Sequence, residues 1–133
     1  MERALLKSLF DQVSTGKKSV EEAVDWLLME MGRGGRIFVV DENLFGLDDY
    51  LVELGYTVYR IQSGLADSEI KQQVGGRVLI TNNGEDFASD TERFGYGLIW
   101  VTRIRDFATL AKNIEAAIMA HGFRRNLTQV IKV

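Results

Sequence analysis

The chain has 133 residues, of which 46% are hydrophobic and 26% charged, with a formal net charge of −3. This suits a soluble globular protein with a substantial core. The absence of cysteine excludes disulfides and thiolate metal sites. No apolar run is long enough to span a bilayer, and Met1-Glu2-Arg3 does not open a signal peptide, so a cytoplasmic protein is expected. A slightly acidic chain is not a typical nucleic-acid binder, although a local basic rim still binds phosphates.

Residues 1–32 read as an α-hairpin. Ala4, Leu5, Phe10 and Val13 lie at roughly helical spacing, and Ser14 to Lys18 ends the first helix. Ser19-Val20-Glu21-Glu22 is a capping box that starts the second, whose apolar positions are Val20, Ala23, Val24, Trp26, Leu27, Leu28 and Met31. Gly32-Arg33-Gly34-Gly35 follows as a stop or hinge. The hairpin is expected to cover a face or edge of the following domain; its alternative role is to hold a protein partner or a second copy.

From Arg36 to Val133 strands and helices alternate. Ile37-Phe38-Val39-Val40 is a continuous apolar run, read as a strand buried on both faces within Arg36–Val40. A helix over about Leu47–Leu54 stops at Gly55, and a second strand takes Thr57–Ile61. A short helix over Ser68–Val74 stops at Gly75-Gly76, before a third strand, Arg77–Thr81. A loop and short helix occupy Asn82–Phe94, and Leu98–Val101 is the fourth strand. The longest helix runs to Ala120 behind an N-cap at Asp106, with Gly122 as its stop, and Leu127–Val133 is the last strand. Repeated strand–helix–strand units predict a mainly parallel five-stranded sheet with right-handed crossovers and helices on both faces, in the order 3-2-1-4-5.

In such sheets ligands bind outside the carboxyl ends of the strands. Asp41, Glu42 and Asn43 follow the first strand there. A divalent cation or a phosphate-bearing ligand is expected beside them, and a simple helix cap at Asp41 or Asn43 is the competing reading.

Four stretches carry a resemblance: Val39-Val40-Asp41-Glu42-Asn43-Leu44, Leu51-Val52-Glu53-Leu54-Gly55-Tyr56-Thr57-Val58, Asp67-Ser68-Glu69-Ile70 and Val78 to Phe87. In order and spacing they resemble the PIN-like family of small nucleases, over about Arg36 to Val101. The resemblance implies a PIN-like three-layer sandwich with a Mg²⁺ or Mn²⁺ site that cuts single-stranded RNA, and a place as the toxin of a toxin–antitoxin pair. It implies Asp41, Glu69 and Asp86 as catalytic and metal-holding acids, with Asn83 as a further metal ligand. The family pattern has an acid where this chain has Asn83, and one residue fewer before the pair matched by Asp86-Phe87. The alternative function is therefore a catalytically degenerate module that binds RNA or a protein partner. Asn82-Asn83-Gly84 also reads as a plain turn, and Asp86 as a helix N-cap.

Asn43, Arg103 and Arg105 are candidates for substrate binding. The two arginines follow the fourth strand and suit bidentate phosphate contacts, with a solvated arginine pair as the alternative. Arg124-Arg125 reads as a solvated turn, and His121 as a favourable cation in the last turn of a helix. Phe45 and Tyr50 flank the site as possible stacking rings, with core packing preferred for Tyr50. There is no Ser-His-Asp pattern or phosphate-binding glycine loop. A receiver-type phosphoacceptor domain is set aside, because Asn82 and Thr102 stand where it needs Asp and Lys.

Overall fold

A computed structural model describes residues 3–17, 19, 20, 23, 36–123 and 126–133. Most of the second helix of the expected hairpin, its capping partner Glu22, the glycine hinge and Arg124-Arg125 lie outside the described residues. The first helix, α1, spans Arg3–Ser14 and exposes Phe10.

The α/β body contains β1 (Ile37–Val40), a 3₁₀ turn (Glu42–Leu44), α2 (Leu47–Glu53), β2 (Thr57–Arg60) and α3 (Asp67–Gln73). It continues through β3 (Val78–Thr81), α4 (Gly84–Ala88), α5 (Thr91–Phe94), β4 (Gly97–Trp100), α6 (Phe107–His121) and β5 (Val130–Lys132). All four strand pairings are parallel, as expected. The order is β2-β1-β3-β4-β5 and not 3-2-1-4-5. The reason lies in side-chain polarity. β3, Val78-Leu79-Ile80-Thr81, is buried at every position and needs a neighbour on each side. β2, Thr57-Val58-Tyr59-Arg60, is largely exposed and tolerates an edge.

The pleat sorts the core into two layers. Phe38, Val40, Val78, Ile80, Ile99 and Ile131 face α2 (Leu47, Leu51) and α6 (Leu110, Ile114, Ile118). Val39, Leu79 and Leu98 face Ile70 of α3, Val74 at its C-cap, and Phe87 of α4. Each fully buried aliphatic side chain contributes about 1.5–3 kcal/mol. Phe45 packs against both layers and so sits over the carboxyl edge of the sheet.

The last crossover departs from the expected hand. α2 connects β1 to β2 and α6 connects β4 to β5, and the two helices pack together on one face. Yet β1→β2 and β4→β5 move across the sheet in opposite directions. Two such connections on one face have opposite hands. β2→β3 and β3→β4 use the other face and share the hand of β1→β2, so β4–α6–β5 is the exception to a strong rule. With α6 drawn to the α2 side, no described helix covers β5 on the opposite face, where Val130 and Lys132 are exposed.

Candidate functional site

The chain reverses its direction of travel between β1 and β3, and the crevice at the carboxyl ends of these strands is the expected ligand position. Asp41 lies there. Its N–H continues the ladder to the Ile80 carbonyl at 3.0 Å, which seats it beside Thr81. The Thr81 hydroxyl donates to Asp41 Oδ2 at 2.9 Å, and the Glu42 N–H donates to Oδ1 at 2.7 Å. Asp41 is 9% exposed and Thr81 is fully buried. Thr81 also accepts the Asn83 N–H at 3.0 Å, so one hydroxyl ties β1 to the loop after β3. Asp41 caps the 3₁₀ turn, as the competing reading required, and each of its oxygens keeps a lone pair. Among the described residues no ion pair is made to Asp41.

The other expected site residues are exposed. Asn43 is the middle residue of the 3₁₀ turn. Glu69 lies in the first turn of α3 and Asp86 in the first turn of α4. Asn83 is the N-cap position of α4, but its side chain does not cap; its Nδ2 donates to Asp86 Oδ2 at 2.8 Å. Arg103 and Arg105 are exposed in the loop between β4 and α6. Since every strand is parallel, Asp41, the starts of α3 and α4, and the arginine loop all belong to the carboxyl end of the sheet. Among the described residues, no three His, Cys, Asp or Glu side chains form a group that could hold a metal ion.

A second cluster at this end had no clear signal in the sequence. Asp48 is buried, accepts from the Gly46 N–H at 2.9 Å, and pairs with Arg60 Nε at 3.0 Å. Burial pushes the Asp48 carboxyl up, but the Gly46 amide and Arg60 outweigh it and hold it below the usual aspartate value. The Arg60 guanidinium lies 5.0 Å from the Phe45 ring centroid, so Phe45 already has a cationic partner. Tyr50 is 43% exposed, contrary to the preference for core packing; Asp48 is among the buried positions of α2. The one usable hint was Arg60, a charge ending an otherwise β-type run.

Trp100 lies next to Thr81 in the sheet and next to Lys132 on its other side. Its ring packs so closely on Gly84 that a Cβ there would fall 2.1–2.4 Å from three ring atoms. The Lys132 ammonium lies 4.5 Å from the Trp100 ring centroid. Asp106 caps α6 as expected, accepting from the Thr109 N–H at 2.9 Å, and that bond holds its carboxyl below the usual aspartate value.

No helix among the described residues is long and apolar enough to cross a membrane. Comparison of the chain with family models, with curated proteins and with solved structures gives no match.

Proposed function

We propose that the chain is a PIN-like, metal-assisted ribonuclease acting on single-stranded RNA at the crevice between β1 and β3, in the role of a toxin–antitoxin component. The observation that carries this reading is the buried Asp41 carboxylate, held by two neutral donors and joined by no ion pair among the described residues. Buried charges are otherwise paired or coordinate metals. Asp41 alone fits a Mg²⁺ or Mn²⁺ ion that keeps most of its waters and arrives with substrate phosphates, which needs only one or two carboxylates. Such an ion, when bound, supplies an activated water and charge stabilisation at phosphorus. Thr81 fixes the rotamer of Asp41, Glu69 and Asp86 would add negative charge for the ion, and Asn43, Arg103 and Arg105 would hold flanking phosphates.

The bond from Asn83 to Asp86 favours a second reading, a module without catalysis. It engages both side chains with each other, where the family pattern has an acid in place of Asn83. Calorimetric titration with Mn²⁺ and Mn²⁺-dependent cleavage of a mixed single-stranded RNA pool test the two. Binding and cleavage abolished by Asp41→Asn, and strengthened by Asn83→Asp, support the nuclease. Metal binding unchanged in Asp41→Asn removes Asp41 from the site. RNA binding without metal binding or cleavage selects the module.

A further inference from the structure

Asp41, Thr81, Trp100 and Lys132 occupy one level of four adjacent strands. The register pairs Thr81 with Trp100 and Trp100 with Lys132. The Asp41 N–H to Ile80 bond and the Asp41–Thr81 side-chain bond extend the same row to β1. Neighbouring strands lie about 4.8 Å apart, so the row places Trp100 about 10 Å from Asp41 and Lys132 one strand further. Thr81, Trp100 and Lys132 share the sheet face of Leu79 and Leu98 by the period of two. This is the face from which the reversed crossover withdraws α6.

Trp100 is half-buried, with its ring backed by Gly84 and the Lys132 ammonium over it. An aromatic ring backed by main chain and roofed by a single exposed, flexible cation is a stacking position, with the cation as a movable cover. Arg103 and Arg105 leave the same end of β4 and are exposed there. Glu85 and Asp86 follow Gly84 in the first turn of α4. Lys132, Arg103 and Arg105 thus put positive charge on the β4–β5 side of the carboxyl end, while Arg60 on the β2 side is engaged by Asp48 and Asp49.

We propose that Trp100 is a nucleobase-stacking subsite, and that a single-stranded RNA lies along this row, with one base on Trp100 and its phosphates on Lys132, Arg103 and Arg105. The inference rests on the reading of the Asp41 crevice as the site of phosphate chemistry on single-stranded RNA, and it adds the residue that holds a base and the path of the strand across the sheet. The base replaces the Lys132 ammonium on the ring, and Lys132 turns to a phosphate.

Fluorescence anisotropy of a labelled 12-nucleotide oligouridylate against the full chain, in EDTA, tests this without metal or cleavage. Stacking is worth about 1–3 kcal/mol per base, so Trp100→Leu is expected to weaken binding by about 5- to 150-fold. Trp100→Phe keeps a ring and retains most of the affinity, which also guards against a Leu variant that does not fold. Lys132→Met is expected to lower the slope of log affinity against log salt by about 0.7, the value for one single-strand phosphate contact. Oligouridylate binding that ignores both Trp100 variants and Lys132→Met overturns the proposal, as does equal competition by inorganic tripolyphosphate at matched charge. Binding in EDTA that depends on Trp100, in a chain that binds no Mn²⁺, leaves this subsite standing while the metal reading falls. Mn²⁺ binding at Asp41 with no Trp100-dependent binding does the reverse.

Discussion

Replacing Gly84 by alanine adds one methyl group directly against the Trp100 ring. The new Cβ falls 2.1 Å from Trp100 Cγ, 2.2 Å from Cδ2 and 2.4 Å from Cδ1, where ordinary contact begins near 3.4 Å. The indole or the start of α4 must retreat by about 1.3 Å, the difference between 3.4 Å and 2.1 Å. Neither moves freely. The Trp100 carbonyl accepts the Val133 N–H at 2.9 Å, and the loop before α4 is pinned by the Asn83 N–H to Thr81 bond at 3.0 Å. Overpacking of this kind costs about 1–3 kcal/mol. The gain in helix propensity on leaving glycine is at most about 1 kcal/mol, and less in a first turn. The expected net loss is about 1–2 kcal/mol. Urea unfolding reads it as a midpoint lowered by roughly 0.5–1 M at unchanged slope, for a slope of about 2 kcal/mol/M. A double-mutant cycle with Trp100→Leu isolates the contact: in that background the alanine should cost almost nothing. A midpoint that stays or rises in Gly84→Ala, or an equal cost in both backgrounds, refutes the packing argument.

Asp48→Asn should destabilise the fold by about 1–3 kcal/mol at neutral pH, because a buried, charge-assisted bond to Arg60 is lost; chemical denaturation measures it. The same carboxyl has a folded pKa below its unfolded value, so its contribution is present above the unfolded value and disappears as pH falls through the folded one. The parent's acid transition below about pH 4 should flatten in Asp48→Asn. Tyr96, fully buried and donating its hydroxyl to the Phe87 carbonyl, is pushed up to about 12 by burial and then by Asp90. Its stabilising proton is held below pH 10 and lost as pH rises through 12; absorbance titration of the parent against Tyr96→Phe should remove one late-ionising tyrosine. Thr81→Val leaves Asp41 Oδ2 and the Asn83 N–H without their shared partner and should cost about 1–3 kcal/mol, with a matching loss of Mn²⁺ affinity if Asp41 is the ligand.

The parallel α/β class was legible because β1 and β3 are unbroken apolar runs, and only a sheet covered on both faces buries such strands. The positions of the helices were legible from the glycines that stop them and from the cap at Asp106. Strand order was not read correctly, although Thr57 and Arg60 held the information: a strand with polar ends and an exposed Tyr59 belongs at an edge. The hand of the last crossover was beyond local reading. It depends on Leu110, Ile114 and Ile118 finding Leu47 and Leu51, a contact no sequence window contains. At the site, Asp41 was foreseen at the carboxyl end of β1. Its bond to Thr81 was not, since a threonine closing an apolar strand looks like any β-former. Trp100 went unremarked for the same reason: its neighbours Gly84 and Lys132 are distant in sequence.

The pairing of α6 with α2 also sets when this chain can become a folded object. Among the described helices, only the short α2 covers Phe38, Val40, Ile80 and Ile99 until residues of α6 have been synthesised. A nascent chain ending near Trp100 would hold four strands and half a roof. Its sheet would present an apolar face to any other unfinished chain. The closing contacts span more than fifty residues, so they come late and impose a high contact order on a small domain. Acquisition of structure is therefore expected to be a single late event, with ribosome-bound chains truncated before α6 remaining protease-sensitive, and those extending through β5 becoming resistant together.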